Sequence, residues 1–481
     1  MRTELFIDGV WREGEGEAFA SRDPATGEKV WEGRAASEDD VAEAMAAARL
    51  AFPGWSRRPL PERVDIVRAF AKAIEKRSDA LSRTISREMG KVTWDAKAEV
   101  QAMIGKIELS IRAQAERAGA REEKAPFGAM ALSHHAHGVL AVFGPFNFPG
   151  HLPNGHIVPA LLAGNCVLFK PSELTPGVGA LIAEAWEEAG LPAGVLNLLQ
   201  GGRDTGAALL DAHGLAGVLF TGSAHTGAFI HRKFAGRPEV MLALELGGNN
   251  ALIVWPPVDA KAAANLIAHS AFATSGQRCS CARRLILPEG QAGEEIVEAL
   301  AALMPQIGVG PATQTPEPFM GPLVNAASAE RAVKFEHALL AMGGKSIVPV
   351  KRDGAYVHPA LIDVTGLSPP DEELFGPVLQ IIRVTDFDHA LDVANATRFG
   401  LSGGLISDDS ALWERVKQEL RAGVLNWNRP TTGASGAMPF GGPGLSGSLR
   451  PSAYYAADYV AYPVASQMAE KAQAIAAPGL P

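Results

Sequence analysis

Cysteine is scarce in this sequence: 481 residues hold three, Cys166, Cys279 and Cys281, too few for a disulfide framework and consistent with a reducing compartment. No apolar run is long enough to span a bilayer. The opening Met1-Arg2-Thr3-Glu4-Leu5 places charges where a signal peptide needs an apolar core. A cytoplasmic protein without a membrane partner is therefore expected. Positive charge is not in excess: 44 Lys and Arg against 53 Asp and Glu leave a net charge of −9. No basic stripe is present, so nucleic acid is not an expected partner. Repeats of fixed period and low-complexity segments are absent as well. His134, His135 and His137 cluster without cysteine or carboxylate partners, so they read as a polar strand or loop and no metal site is expected.

What is present is a globular composition, 47% apolar and 20% charged. The length exceeds what one hydrophobic core usually organises, so two or three units are expected. Residues 3–35 read as short strands broken by turn signals such as Asp8-Gly9. Ser37 to Asp40 resembles a capping box opening an Ala-rich helix to Phe52, and helical periods follow over 60–76 and 99–117. From residue 138 short β-rich runs (139–143, 166–170, 195–199, 217–220) alternate with helices over 153–163, 177–188 and 204–212. That alternation predicts a parallel, doubly wound sheet with ligands at the carboxyl ends of its strands. A second α/β series starts near 252–255 and runs to about residue 446. It includes helices over 260–275 and 326–342 and strands near 404–406 and 423–426.

Several residues sit where chemistry is plausible. Cys279 follows an apolar helix in Ser275-Gly276-Gln277-Arg278-Cys279, and a thiolate is a strong nucleophile when its surroundings stabilise it. Cys166 lies in an apolar strand and reads as core, and nothing around Cys281 marks it as a second nucleophile. Glu245, between an apolar run and the double glycine Gly247-Gly248, is a carboxylate placed for tuning as a base or simply a strand-end acid. The Asn147 amide, in Gly144-Pro145-Phe146-Asn147-Phe148-Pro149, can donate to an oxyanion or form a turn. Gly222, Ser223, Ala224, His225, Thr226 and Gly227 follow a strand and open a helix, which suits a dinucleotide phosphate. The segment is not a Walker A motif, because no Lys-Ser or Lys-Thr follows. Lys170 and Glu173, at another strand end, can hydrogen-bond a ribose or pair with each other.

Taken in order, Asn147, Lys170 with Glu173, the 222–227 turn, Glu245 and Cys279 resemble the aldehyde dehydrogenase superfamily over nearly the whole chain. Glu373-Leu374-Phe375-Gly376-Pro377, Pro439-Phe440-Gly441-Gly442 and the 34 residues separating Glu245 from Cys279 are similar too. The resemblance implies an α/β fold with three parts. These are a doubly wound NAD-binding domain (1–117 and 137–247), an α/β catalytic domain (248–446) and a small β oligomerisation unit (118–136 and 447–481). It also implies a homodimer or homotetramer. By the same resemblance Cys279 forms a thioester with an aldehyde substrate, Asn147 holds the oxyanion and Glu245 activates water. NAD would lie against Lys170, Glu173, residues 222–227, Glu373 and Phe375.

Three stretches (146–156, 276–284 and 426–430) and the segment 450–459 resemble one branch of the superfamily. Its substrate is a semialdehyde of a succinylated amino acid, formed in arginine catabolism. Such a substrate needs fixed cations and room. His151, Asn154, Arg278 and Arg429 are the expected contacts, with Arg283 and Arg284 nearby, and Gly155 leaves space where many relatives carry an aromatic. Arginine suits carboxylates because its fork donates two parallel hydrogen bonds, although any one of these arginines can equally be an ion-pair residue. Two alternatives stay open: a general semialdehyde dehydrogenase such as one for glutamate semialdehyde, and a non-catalytic structural or binding protein on this scaffold.

Overall fold

The computed structural model describes residues 1–475 and 477–480. Its first large sheet has seven strands. In spatial order they are Met241–Glu245, Leu215–Thr221, Val139–Phe143, Cys166–Lys170, Leu196–Leu198, Leu5–Ile7 and Val10–Arg12. The first five are mutually parallel, and the N-terminal hairpin adds to the edge antiparallel. Val139–Phe143 and Cys166–Lys170 are buried at every residue, as expected of parallel strands covered by helices on both faces. Helices His151–Ala163 and Pro176–Glu188 are apolar almost all round and correspondingly buried.

The second sheet also has seven strands, in the order Lys345–Val348, Ala360–Asp363, Val378–Val384, Ala282–Pro288, Asn250–Val254, Ser402–Ile406 and Val424–Trp427. All but the first neighbour pair are parallel. A separate three-stranded antiparallel sheet joins Arg121–Ala125, Gly128–Ala136 and Ala461–Met468, the last two paired over eight residues. Among the described residues no helix is long and apolar enough to cross a membrane.

The helix signals hold closely at their starts. Ser37 caps Glu38–Ser56 in a reciprocal box with Asp40, and the second helix is Leu60–Lys76. Two features differ from expectation. An additional helix, Ser78–Met89, fills the gap before Thr93–Arg117, which itself begins a turn and a half earlier than its apolar period suggests. The helix expected over 260–275 stops at Phe272. Thr274, Ser275 and Gly276 then take left-handed backbone angles, φ 54°, 56° and 73°, which end an α-helix and are costly for two non-glycine residues. That strained turn delivers the chain to Cys279.

Candidate active site

Between the two large sheets lies a cavity of about 770 Å³. Asn147 follows the strand Val139–Phe143, Glu173 follows Cys166–Lys170, Ser223 follows Leu215–Thr221, and Glu245 ends Met241–Glu245; all four line the cavity. This is the carboxyl edge of a parallel sheet, the expected ligand position. The opposite wall comes from the amino ends of the second sheet, because Cys279 precedes Ala282–Pro288 and Glu373 and Phe375 precede Val378–Val384.

The loop carrying Cys279 is held on every side. Asp95, buried on the helix Thr93–Arg117, accepts from the Thr274 hydroxyl and from an Arg278 Nη at 2.9 Å. Arg278 Nε also donates to Thr274 Oγ1 at 2.7 Å. The Asn250 amide donates to the carbonyls of Cys279 and Cys281 at 2.7 and 2.8 Å. Gly276 admits no side chain, since a Cβ there would lie 2.3 Å from the Gly376 carbonyl oxygen. Asn147 donates one amide hydrogen to the Gln277 carbonyl at 2.9 Å. Two residues from Cys279, that bond fixes the carboxamide and leaves its second N–H for the cavity.

Burial sets the protonation of these groups. The Cys279 thiol is held well above its usual range, first by desolvation and then by the nearby carboxylates of Glu373 and Glu245. Glu245 is likewise raised well above an ordinary carboxylate by desolvation. Its Oε1 accepts from the Ser452 N–H at 3.2 Å, while its buried Oε2 has no partner. Glu373, which accepts from the Gly248 N–H, is raised to about 7 for the same reason.

At the other end of the cavity, Ser223 caps the helix Ala224–Lys233 by accepting from the Thr226 N–H. The first-turn N–H groups of Ala224 and His225 then lack intrahelical partners. Gly227 packs so closely that a Cβ would lie 2.4 Å from the Leu246 side chain. Glu173 is half exposed. Lys170 stands behind it and does not line the cavity: its ammonium donates to the Pro171 and Gly201 carbonyls at 2.8 and 2.7 Å.

Of the four expected substrate contacts, His151 and Arg278 line the cavity, and Asn154 and Arg429 do not. Arg429 is exposed and outside the cavity lining, and Asn154 is fully buried, donating to the Gly150 carbonyl one helical turn back. Arg283 and Arg284 are spent on backbone carbonyls, those of Gly376 and Arg278 for the first and Asn249, Val393 and Ala394 for the second. Arg278 lines the cavity, but Asp95 neutralises it. His151 does face the cavity, with burial lowering its imidazole to about 4, so it is neutral there. Sequence reading missed three further residues of the cavity lining, Asp95, Ser452 and a buried lysine, Lys106. The available signal was a charge inside an apolar helical stripe: Lys106 lies between Met103 and Ile107, both buried.

The chain belongs to the aldehyde dehydrogenase family, whose model matches residues 11–462. Among its relatives, N-succinylglutamate 5-semialdehyde dehydrogenase 2 of Caulobacter vibrioides is 56% identical over 97% of this chain and 96% of its own. The N-succinylglutamate 5-semialdehyde dehydrogenase of Paraburkholderia xenovorans is 51% identical over 99% of both chains. Among solved structures, methylmalonate-semialdehyde dehydrogenase from Oceanimonas doudoroffii superposes with a TM-score of 0.93 at 27% identity, covering 98% of this chain and 99% of its own. A 1-pyrroline-5-carboxylate dehydrogenase from Thermus with bound NAD does so at 0.90 and 32% identity, covering 97% and 93%.

Proposed function

We propose that this protein oxidises N-succinyl-L-glutamate 5-semialdehyde to N-succinyl-L-glutamate with NAD, through a covalent thioester on Cys279. The observation that carries the chemistry is one cavity holding a thiol, a fixed carboxamide and an isolated carboxyl, with a capped helix start at the other end. The relatives at 51–56% identity support the choice of substrate.

NAD fits the residues present. The free first-turn amides at Ala224 and His225 suit the pyrophosphate, Glu173 suits a ribose hydroxyl, and Glu373 with Phe375 lies toward Cys279. When bound, NAD supplies the redox step by accepting a hydride from the substrate carbon.

The protein's own residues do the rest. Cys279 loses its thiol proton to solvent, its sulfur bonds to the aldehyde carbon, and the carbonyl oxygen takes the electron pair. The second Asn147 N–H and the Cys279 backbone N–H hold that oxyanion; such a donor is worth ~10²–10³ in rate. After oxidation the carbon is a thioester. Glu245 removes a proton from water as the water oxygen bonds to that carbon, and the carbon–sulfur bond breaks to release the acid and the thiolate. At Gly155, on the cavity, an added Cβ would meet nothing within 4 Å, which leaves room for a long acyl arm.

A homodimer or homotetramer in the cytoplasm completes the proposal. The three-stranded sheet leaves two edges unpaired and exposes Phe127, Met130, Tyr462 and Met468, a surface suited to association. Light scattering on the purified protein tests this, and a monomer at micromolar concentration would refute it.

The test of activity is NADH formation with N-succinylglutamate semialdehyde, glutamate semialdehyde and succinate semialdehyde under identical conditions. The first should exceed the others by about 10-fold or more in kcat/KM, because remote binding energy orients the reacting carbon. Equal values would reduce the assignment to a general semialdehyde dehydrogenase. No NADH with any aldehyde would leave the non-catalytic reading.

A further inference from the structure

One buried cation in the cavity has no counter-charge among the described residues. Lys106 is 3% exposed, and its ammonium has neither a hydrogen-bond partner nor an ion pair among the described residues. The other cavity cations differ: Arg278 is paired with Asp95, and Arg331 is exposed, so solvent screens its charge. The nearest acid on the same helix face, Glu99, is also occupied. It pairs with Lys91 at 2.7 Å and accepts from the N–H groups of Gly150 and His151. The charge of Lys106 falls on two buried imidazoles, His151 and His156, and helps keep both neutral. Neither can serve as its counter-ion.

A buried, unpaired ammonium is costly. Burial lowers Lys106 to about 8, so at neutral pH it is still mostly an ammonium, and a carboxylate on a ligand would supply the missing charge. Asp95, which grips the nucleophile loop, and Lys106 stand about three turns apart on one face of Thr93–Arg117, both on the cavity. The cavity lining includes several small residues that leave room along it: Ala98, Ala102, Gly155, Ala434, Ser435 and Gly436.

We infer that Lys106 is the specificity-determining cation of this site: its ammonium takes a carboxylate at the end of the substrate remote from the aldehyde, and the small residues of the lining leave room for the arm between. This rests on the proposed reaction and adds a residue and a ligand chemistry to it. A site built around a buried charge rejects ligands that cannot satisfy it more strongly than it rejects a change in size.

The test compares wild type with Lys106→Met, Lys106→Gln and Lys106→Arg on N-succinylglutamate semialdehyde and on hexanal, a neutral aldehyde. Lys106→Met and Lys106→Gln should lose about 100-fold in kcat/KM on the acidic aldehyde, the size expected for a hydrogen bond to a charged group. Both should stay within about 3-fold of wild type on hexanal, since the remote group alone is affected. Lys106→Arg should recover part of the loss. Calorimetry with N-succinylglutamate should show a parallel loss of product affinity. Lys106→Met should melt at or above the wild-type temperature, because an unsatisfied buried charge has been removed.

Equal losses on both aldehydes, retained preference for the acidic one, or a lowered melting temperature would each overturn the inference. Failure of the proposed reaction looks different. Wild type would then prefer another aldehyde, and the same variants are compared on succinate semialdehyde and glutamate semialdehyde. Any carboxylated aldehyde that wild type prefers must lose that preference in Lys106→Met. A wild type indifferent to remote carboxylates overturns the role of Lys106 directly.

Discussion

Replacing Glu245 with Gln separates the two halves of the proposed reaction. The substitution keeps the shape and keeps an oxygen to accept from the Ser452 N–H, now at 3.2 Å from Oε1. It removes the ability to take a proton, together with a negative charge that helps hold the Cys279 thiol up. The carboxyl is 5% exposed and its Oε2 has no partner among the described residues, so none of them in contact with it can substitute. A positioned general base contributes ~10²–10⁴ in rate, and steady-state turnover of Glu245→Gln should fall by that factor. Oxidation should survive. Rapid mixing with NAD and substrate should show a burst of NADH near one equivalent per active site, followed by a stall. Loss of the burst together with turnover would refute this division and assign Glu245 to deprotonating Cys279. A steady state within a few-fold of wild type would remove Glu245 from the chemistry.

The same carboxyl sets a pH dependence. Its protonation is raised well above 4.5 by burial, so the ionised, proton-accepting form is lost as pH falls through that raised value. Wild-type kcat should therefore have an acidic limb above the ordinary carboxylate range, which Glu245→Gln lacks. Stability runs the other way. A carboxyl with a raised folded pKa contributes no penalty below its unfolded value near 4.5, and destabilises progressively as pH rises from there through the folded value. Glu245→Gln should accordingly melt with wild type at pH 4 and above it at pH 8.

Much of this site was legible in the sequence for local reasons. The parallel strands read as unbroken apolar runs because helices cover both faces, so their carboxyl ends, and with them Asn147, Glu173, Ser223 and Glu245, could be placed in one layer. The second wall was not legible in that way. Cys279 and Glu373 approach from the amino ends of the second sheet, and only the packing of one sheet against the other brings them to the first. The arginines show the limit most clearly. Arg278, Arg283 and Arg284 adjoin the nucleophile in sequence, yet their guanidinium groups close the loop onto Asp95 and onto backbone carbonyls. Proximity along the chain identified charges near the site, whereas their pairing is a tertiary property. Lys106 inverts the case: distant in sequence and hidden in an apolar stripe, it is a buried cation left without a partner among the described residues.

The cysteines divide cleanly: Cys279→Ala should abolish oxidation with the fold intact by circular dichroism, while Cys281→Ala and Cys166→Ala retain most activity. Equal inactivation of Cys281→Ala would displace the nucleophile. NAD should exceed NADP in kcat/KM, because a 2′-phosphate meets the Glu173 carboxylate and loses its hydrogen bond; Glu173→Gln should narrow the gap, and an unchanged ratio would remove Glu173 from the cofactor site. Asp95 offers the last test, because it joins the helix Thr93–Arg117 to the nucleophile loop. Buried and held below its usual range by Lys91, Arg278 and Thr274 despite desolvation, it is ionised in the folded protein. Asp95→Ala would leave Arg278 unpaired in a partly buried place, the kind of change that costs about 3–5 kcal/mol. Asp95→Asn keeps one acceptor and should cost less. If the pair holds the strained turn at Thr274 and Ser275, Asp95→Asn should lower kcat more than it raises KM, since a displaced thiol still admits substrate but attacks it poorly. A variant that melts several degrees lower yet keeps wild-type kcat would show that Asp95 stabilises the fold without positioning Cys279.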